Sequence, residues 1–306
     1  MGLFSFRTVP AKLMNEDARL GLIRRIATTL EMIKWEHSIF VLPFALIGAM
    51  LAAGGWPPAI KLLWIIVCMV AARSAAMAFN RWADADIDGE NPRTANRAIP
   101  AGLLSRRFVV GFTVSMALVF IVAAAQLNRA ALVLSPLALV IVLIYSYTKR
   151  FTRWSHLFLG LAMGIAPSAA WIAVRGSLDP RILILTMAVL CWGAGFDVLY
   201  ACQDFDHDRK VGLRSIPAAL GIPKAFWVSH AMHLTALALL VVLVKVFALG
   251  TAAWCGVALV AGLLLYEHLI VSPHDLRKLN AAFFTTNGVI AILFLVFVAA
   301  DLLWRK

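Results

Sequence analysis

Along most of this chain the apolar residues do not alternate with polar ones; they run together. Nearly uninterrupted apolar stretches cover roughly residues 39–54, 59–80, 108–127, 130–147, 157–174, 181–202, 225–247, 251–271 and 283–303. Crossing the hydrocarbon of a bilayer takes roughly 20 mostly apolar residues in a helix, so each stretch predicts a membrane span. The first is short, and its helix is expected to begin earlier, near Ile33. The polar break Gln126-Leu127-Asn128-Arg129 divides 108–147 into two spans. Ahead of them, Leu20, Ile23, Ile26, Leu30 and Ile33 recur at helical spacing, with Arg19, Arg24, Arg25 and Glu31 elsewhere around the helix. That stripe predicts an interfacial helix on an anionic leaflet or an amphipathic helix packed on the protein. The expected fold is therefore an all-α integral membrane protein. Residues 1–38 form a cytoplasmic or interfacial segment, and 39–306 a domain of nine transmembrane helices around an apolar chamber capped by cytoplasmic loops.

Composition agrees. The chain is 62% hydrophobic and 14% charged, whereas soluble domains are nearer half apolar and a quarter charged. There is too little polar residue to cover a soluble surface. The net charge of +12 has a topological reading in a membrane protein, and no nucleic-acid partner is expected. With the N-terminus in the cytoplasm, 20 of the 28 Lys and Arg fall on inside segments. Seven fall outside (Lys61, Arg129, Arg175, Arg181, Lys245, Arg305 and Lys306), and Arg73 lies within a span. This asymmetry predicts nine spans in a bacterial cytoplasmic (inner) membrane with the N-terminus inside. Cys68, Cys191, Cys202 and Cys255 all sit in apolar runs without a CxxC pair, so neither disulfides nor zinc are expected. The first 38 residues lack the short apolar core of a secretory signal.

Eight of the 16 acidic residues lie in or beside two short inside segments. In the first, Asn80, Asp84 and Asp88 are four apart. At about 100° per residue they spread over roughly 80° of one helical face, with Arg73 on nearly the same stripe and Asp86 pointing away. In the second, Asp197, Tyr200, Asp204 and Asp208 share a stripe and Asp206 points away. Carboxylates stacked at i and i+4 repel, and hard cations offset that. Mg²⁺ takes oxygen ligands and is usually held by one or two carboxylates plus substrate phosphates. Two facing sites would clamp a diphosphate between two Mg²⁺ ions, with Asp84, Asp88, Asp204 and Asp208 as ligands. Arg73, Lys149, Arg209, Lys210 and Arg214 are candidates to complete the clamp. A site roofed by loops and walled by membrane helices suits a lipid-tailed substrate such as an allylic prenyl diphosphate. Stabilising the leaving diphosphate would help the C–O bond ionise, and a closed apolar chamber would keep the carbocation from water.

At these residues the chain resembles the UbiA-type membrane-bound aromatic prenyltransferases. Asn80, Asp84 and Asp88 match that family's Asn-x-x-x-Asp-x-x-x-Asp motif, and Tyr200, Asp204 and Asp208 match its second, Tyr/Asp-x-x-x-Asp-x-x-x-Asp. The flanks NPRTANRAIPAG (91–102), YSYTKRFT (145–152) and GLRSIPAALG (212–221) are similar too. The resemblance implies transfer of a polyprenyl group from its diphosphate to a ring carbon of an aromatic acid such as 4-hydroxybenzoate. The setting would be ubiquinone or menaquinone biosynthesis. It implies that Asn80 and Lys149 meet the diphosphate, that Arg150 pairs with the acceptor carboxylate, and that Asp197 orients or deprotonates its phenol. A dihydroxynaphthoate-acting sibling is one alternative. A cation-coupled transporter is another, although its acids would be expected near the membrane midplane. The histidines, His156 among them, are scattered without metal-ligand spacing and read as core or interface residues. Asn280 and Asn287 are weaker candidates for the acceptor site.

Overall fold

Helix α1 (Ala11–Ile33) forms where the amphipathic stripe falls. Ile23, Ile26 and Leu30 are exposed on it, while Met32 and Ile33 are buried against Ala78, Leu104 and Val109. Arg24, Arg25 and Glu31 are exposed as well, so the uncovered side of the helix carries both apolar and charged residues. A computed structural model describes residues 11–34, 40–273, 276, 279 and 285–304 of this protein. The chain leaves α1 at Lys34, which has a positive φ of 49°. The first span therefore does not begin near Ile33. Instead α2 (Leu42–Ala53) is a separate helix of 12 residues, about 18 Å long at ~1.5 Å per residue and short of a ~30 Å hydrocarbon core.

Eight other helices are long and apolar enough to cross a membrane. These are α3 (Ala59–Ala83), α5 (Arg106–Leu127), α6 (Arg129–Thr148), α7 (Ser155–Arg175), α8 (Leu183–Ala201) within the longer helical stretch Pro180–Val211, α11 (Ile222–Val246), α12 (Thr251–Ile270) and α13 (Asn287–Trp304). With the shorter α2, the described residues hold nine apolar helices, compatible with the expected layout. Three short helices lie between spans: α4 (Ala85–Glu90), α9 (Phe205–Val211) and α10 (Ile216–Leu220). No strand occurs among the described residues, and the protein is an all-α integral membrane protein. Asn128 explains the break between α5 and α6. Its side chain caps α6 by accepting from Ala131 N–H at 2.9 Å, and its amide donates to the Ile172 and Ala173 carbonyls at the end of α7. The Ile172 carbonyl also accepts from the Gly176 N–H at 2.7 Å, so Asn128 adds a second tie to the last turn of α7, where carbonyls run out of helical partners.

The core lies where α2, α7, α8 and α13 meet. Phe44 packs on Trp192 at 5.0 Å between ring centres, and Trp192 on Phe196 at 4.9 Å. Val114, Leu118, Val122, Val133, Leu137 and Val140, by contrast, are exposed, the expected lipid-facing belt. Helices α7 and α8 approach most closely through Gly160 and Gly164. A Cβ on Gly160 would stand 2.4 Å from the Leu190 carbonyl oxygen, and one on Gly164 2.7 Å from that of Thr186. Small residues four apart let two helix backbones touch in a membrane, where apolar burial alone gives helices little reason to associate. His156 stands one turn before Gly160 on the same face.

Candidate active site

Each acidic motif is built on a helix that breaks at its middle aspartate. Helix α3 ends at Ala83 and α4 starts at Ala85, with Asp84 between them at φ −95°, ψ 4°. Helix α8 passes through a 3₁₀ turn (Cys202–Asp204) into α9, with Asp204 at φ −99°, ψ 9°. The first break leaves the helical path nearly intact, with Asp84 N–H donating to Asn80 O at 2.9 Å and Asp88 N–H to Asp84 O at 2.8 Å, and the second lies within one helical stretch, Pro180–Val211. The phase expected from the sequence therefore survives. Asp84 and Asp88 are buried, whereas Asp86 and Asp206 are exposed. Arg106 pairs with Asp86 and holds its carboxyl below the usual range.

The fold brings the two motifs to one end of a cavity of about 990 Å³. Arg73, Asn80, Asp84, Asp88, Lys149, Asp197, Tyr200, Asp204 and Asp208 all line it. Beyond that polar end the wall is apolar. It runs through Ile65, Met69, Phe120, Ala138, Ile141, Ala166 and Ala169 to Leu127, Ile172 and Leu178 at the opposite ends of the helices.

Cations occupy the carboxylates. Lys149 Nζ lies 2.7 Å from Asp84 Oδ2, and Arg150 3.3 Å from Asp84 Oδ1. Asn80 donates to the same carboxylate at 3.1 Å. Arg97 donates to both oxygens of Asp88 at 2.7 Å. Arg93 reaches Asp204 through Nε at 2.8 Å and through a second nitrogen at 2.5 Å, and it also meets the Tyr200 hydroxyl at 3.3 Å. Burial alone would lower the Arg93 guanidinium, but its bonds to Asp204 outweigh burial and raise it. Asn91 adds a bond to Asp204 at 3.0 Å, and Ser215 donates to Asp208 at 2.8 Å.

Several expected partners fall elsewhere. Arg209 lies over the Phe205 ring, Lys210 is exposed, and Arg214 donates to the Phe151 carbonyl. None of these three lines the cavity. Arg209 and Lys210 sit in the last turn of α9 on the side away from Asp204 and Asp208. Arg150 also stays outside the lining, stacked on Tyr147 and bonded to the Ala83 carbonyl. Asn287 is directed into the core, where it accepts from Trp192 at 2.8 Å; Asn280, Arg277 and Lys278 lie outside the described residues.

Arg93 and Arg97 read as topology charges in the sequence, although they stand four residues apart after Asp88. His156 reads there as a core or interface residue. That side chain is buried and its Nδ1 lies 2.6 Å from Asp197 Oδ2. Nothing local to residue 156 signals a contact made 41 residues along the chain.

Among the described residues no three His, Cys, Asp or Glu side chains converge as a metal-holding group. The donors at the polar end are hard carboxylate oxygens, two of them nearly buried and held by exchangeable cationic side chains. That donor set fits Mg²⁺ ions that complete their coordination with substrate phosphates and water, and does not fit a closed site made by protein alone.

Two aspartate-bearing helix breaks thus line one polar end of an apolar chamber inside a bundle of membrane helices. The chain belongs to the UbiA prenyltransferase family, whose model matches residues 41–298, and it is a prenyltransferase. A 4-hydroxybenzoate octaprenyltransferase from Vibrio cholerae is 30% identical over 255 residues, 82% of this chain and 88% of the relative. The enzyme of that name from Edwardsiella ictaluri is 33% identical over 253 residues, 81% of this chain and 86% of the relative. Of solved structures, the apo form of a UbiA homolog from Aeropyrum pernix K1 superposes with a TM-score of 0.80 at 35% identity, covering 87% of this chain and 98% of that one. A UbiA homolog from Archaeoglobus fulgidus bound to DMAPP and Mg²⁺ shares the fold at a TM-score of 0.70 and 19% identity, over 90% of this chain and 99% of that one.

Proposed function

We propose that the protein transfers a polyprenyl group from polyprenyl diphosphate to a ring carbon of an aromatic acid of the 4-hydroxybenzoate kind, as in ubiquinone or menaquinone biosynthesis. The work is done at the cytoplasmic face of a bacterial inner membrane, with the N-terminus inside. The observation that carries this reading is the cavity's polarity, with four motif aspartates at one end and an apolar wall along the rest. The names of the relatives support the acceptor, and the Archaeoglobus complex supports a prenyl diphosphate with Mg²⁺.

Asp84 with Asp88, and Asp204 with Asp208, would each hold one of two Mg²⁺ ions. When bound, the ions supply positive charge for the leaving diphosphate oxygens. The chain's own residues do the rest. Lys149 lines the polar end and faces the diphosphate, with Arg73 two turns deeper than Asn80 on α3, and Arg93 and Arg97 join them once these leave their carboxylates. The apolar walls keep water from the allylic cation. Arg150 is bonded to Asp84. Freed when Asp84 takes up a cation, it is the guanidinium available for the acceptor carboxylate. Asp197 and Tyr200 lie on the α8 wall, where Asp197 takes or orients the phenol proton and so makes the ring more nucleophilic. The C–O bond to the diphosphate breaks, a C–C bond to the ring forms, and the displaced ring proton leaves to solvent or the diphosphate.

Purified protein with Mg²⁺, a polyprenyl diphosphate and a panel of aromatic acids tests the reading directly. Prenylated 4-hydroxybenzoate is expected, with activity lost on chelation. Asp84→Ala and Asp204→Ala should each lower turnover by about a thousandfold or more, the scale of losing charge stabilisation at a reacting group, while inserting and folding normally. Full activity in both variants would refute the clamp. Arg150→Ala should raise the acceptor KM more than the donor KM.

A further inference from the structure

His156 has no role in the chemistry assigned so far, yet both of its ring nitrogens are committed. Nε2 lies 3.3 Å from the backbone N–H of Ile216 and accepts from it. A nitrogen that accepts carries no proton, so the ring's proton is on Nδ1, the atom 2.6 Å from Asp197 Oδ2. A backbone amide therefore sets the tautomer, and the ring donates to the carboxylate. The ring cannot also take up the phenol's proton, because that would require breaking the Ile216 bond inside a side chain only 3% exposed. His156 is no relay.

We infer that His156 is the positioning residue of the acceptor site, fixing Asp197 through Nδ1–H so that its other carboxylate oxygen meets the acceptor's phenol. This rests on the proposed aromatic acceptor. Two features of the fold support it. The Gly160 and Gly164 contact draws α7 against α8, and His156, a turn earlier on that face, is thereby brought to Asp197, one turn beyond Ala194. The amide that sets the tautomer belongs to the first residue of α10, and the residue before it, Ser215, donates to Asp208. One short stretch of chain thus anchors His156 on the acceptor side and Asp208 on the diphosphate side. Both Asp197 and His156 line the cavity, but Asp197 is the accessible one, with 23% of its side chain exposed against 4% for His156. A charge-assisted bond of this kind contributes enough that its loss should be read as about a 10- to 100-fold change.

The test is steady-state kinetics of His156→Leu, His156→Asn and His156→Gln, alone and combined with Asp197→Asn. Asn can place an N–H near the position of Nδ1, whereas Gln places it near Nε2. For His156→Leu, kcat/KM for the aromatic acid should fall about 10- to 100-fold, with the donor KM and the Mg²⁺ dependence unchanged. His156→Asn should recover most of that loss and His156→Gln little of it. In the Asp197→Asn background, His156→Leu should cost nothing further, because the two act through one contact. Additive losses, an effect on the donor KM as large as on the acceptor, or Gln rescuing as well as Asn would each overturn the inference. If His156→Leu does not fold, the Asn-against-Gln comparison decides. A wild type that prenylates no aromatic acid would sink the acceptor reading itself. An active wild type with unaffected His156 variants would sink only the role of His156.

Discussion

The carboxylates at the polar end are never left bare. Asp88, 5% exposed, is bonded at both oxygens by Arg97, and Asp204 is held by Arg93 and Asn91. A buried charge that loses its only close counter-charge costs about 3–5 kcal/mol, less where one partner is partly solvated, as Arg97 is. The pairs therefore stabilise the empty site and also compete with divalent cations for it. Arg97→Ala is expected to lower thermal stability in chelator and to regain it on adding Mg²⁺. The Mg²⁺ concentration at half-recovery should lie below that at which the wild type responds. A thermal-shift titration in detergent reads both. An unchanged Mg²⁺ midpoint would mean that Arg97 does not compete for Asp88.

At the scale of elements, the close approach of α7 and α8 carries the most geometric risk. Any side chain at Gly160 meets the Leu190 backbone at 2.4 Å, which only a backbone shift can relieve. Overpacking of this kind costs about 1–3 kcal/mol. Gly160→Ala should therefore lower the melting temperature in detergent and reduce acceptor turnover together, since the shift moves His156 from Asp197. A variant as stable and active as wild type would argue that the helices have slack there. Much at this scale was legible in the sequence. The runs of apolar residues marked nine spans, and eight of them are helices long enough to cross a membrane, because a bilayer imposes a length and a polarity on every crossing. Periodicity separated Asp84 and Asp88 from Asp86, and Asp204 and Asp208 from Asp206, because helical phase is a local property. The start of α2 was not legible. Nothing in the apolar run marks the turn at Lys34, and a short buried helix is as apolar as a span. Nor was the placement of Arg209, Lys210 and Arg214, since charge near a motif says nothing about which way a short helix turns its last residues. The partners of Asp88, Asp204 and Asp197 come from a loop and from α7, contacts that pattern along the chain does not encode.

For the whole molecule, the cavity's reach matters more than its volume. Lining residues run along α7 from Ser155 to Ala173, some 18 residues, or about 27 Å at ~1.5 Å per residue. That is close to the thickness of the hydrocarbon core, so a long prenyl tail can lie along the helices with its head among the aspartates. Ala169 sits well down this wall. Ala169→Trp should block the deeper part and lower kcat/KM for a long-chain diphosphate by about tenfold or more, an effect of ~1.4 kcal/mol. Turnover of a short-chain donor should change little. Equal losses with both donors would show that the tail takes another path.

The short link between Ser215 and Ile216 has a consequence for the product. Two adjacent residues hold Asp208 on one side and, through His156, Asp197 on the other. In the proposed reaction the leaving diphosphate and the incoming ring would thus be gauged from a single peptide unit, Ser215–Ile216. An acceptor anchored this way presents one edge of its ring at one distance from the allylic centre. On the proposed function, regiochemistry would then be set by the spacing of the backbone as well as by which ring carbon is intrinsically most reactive.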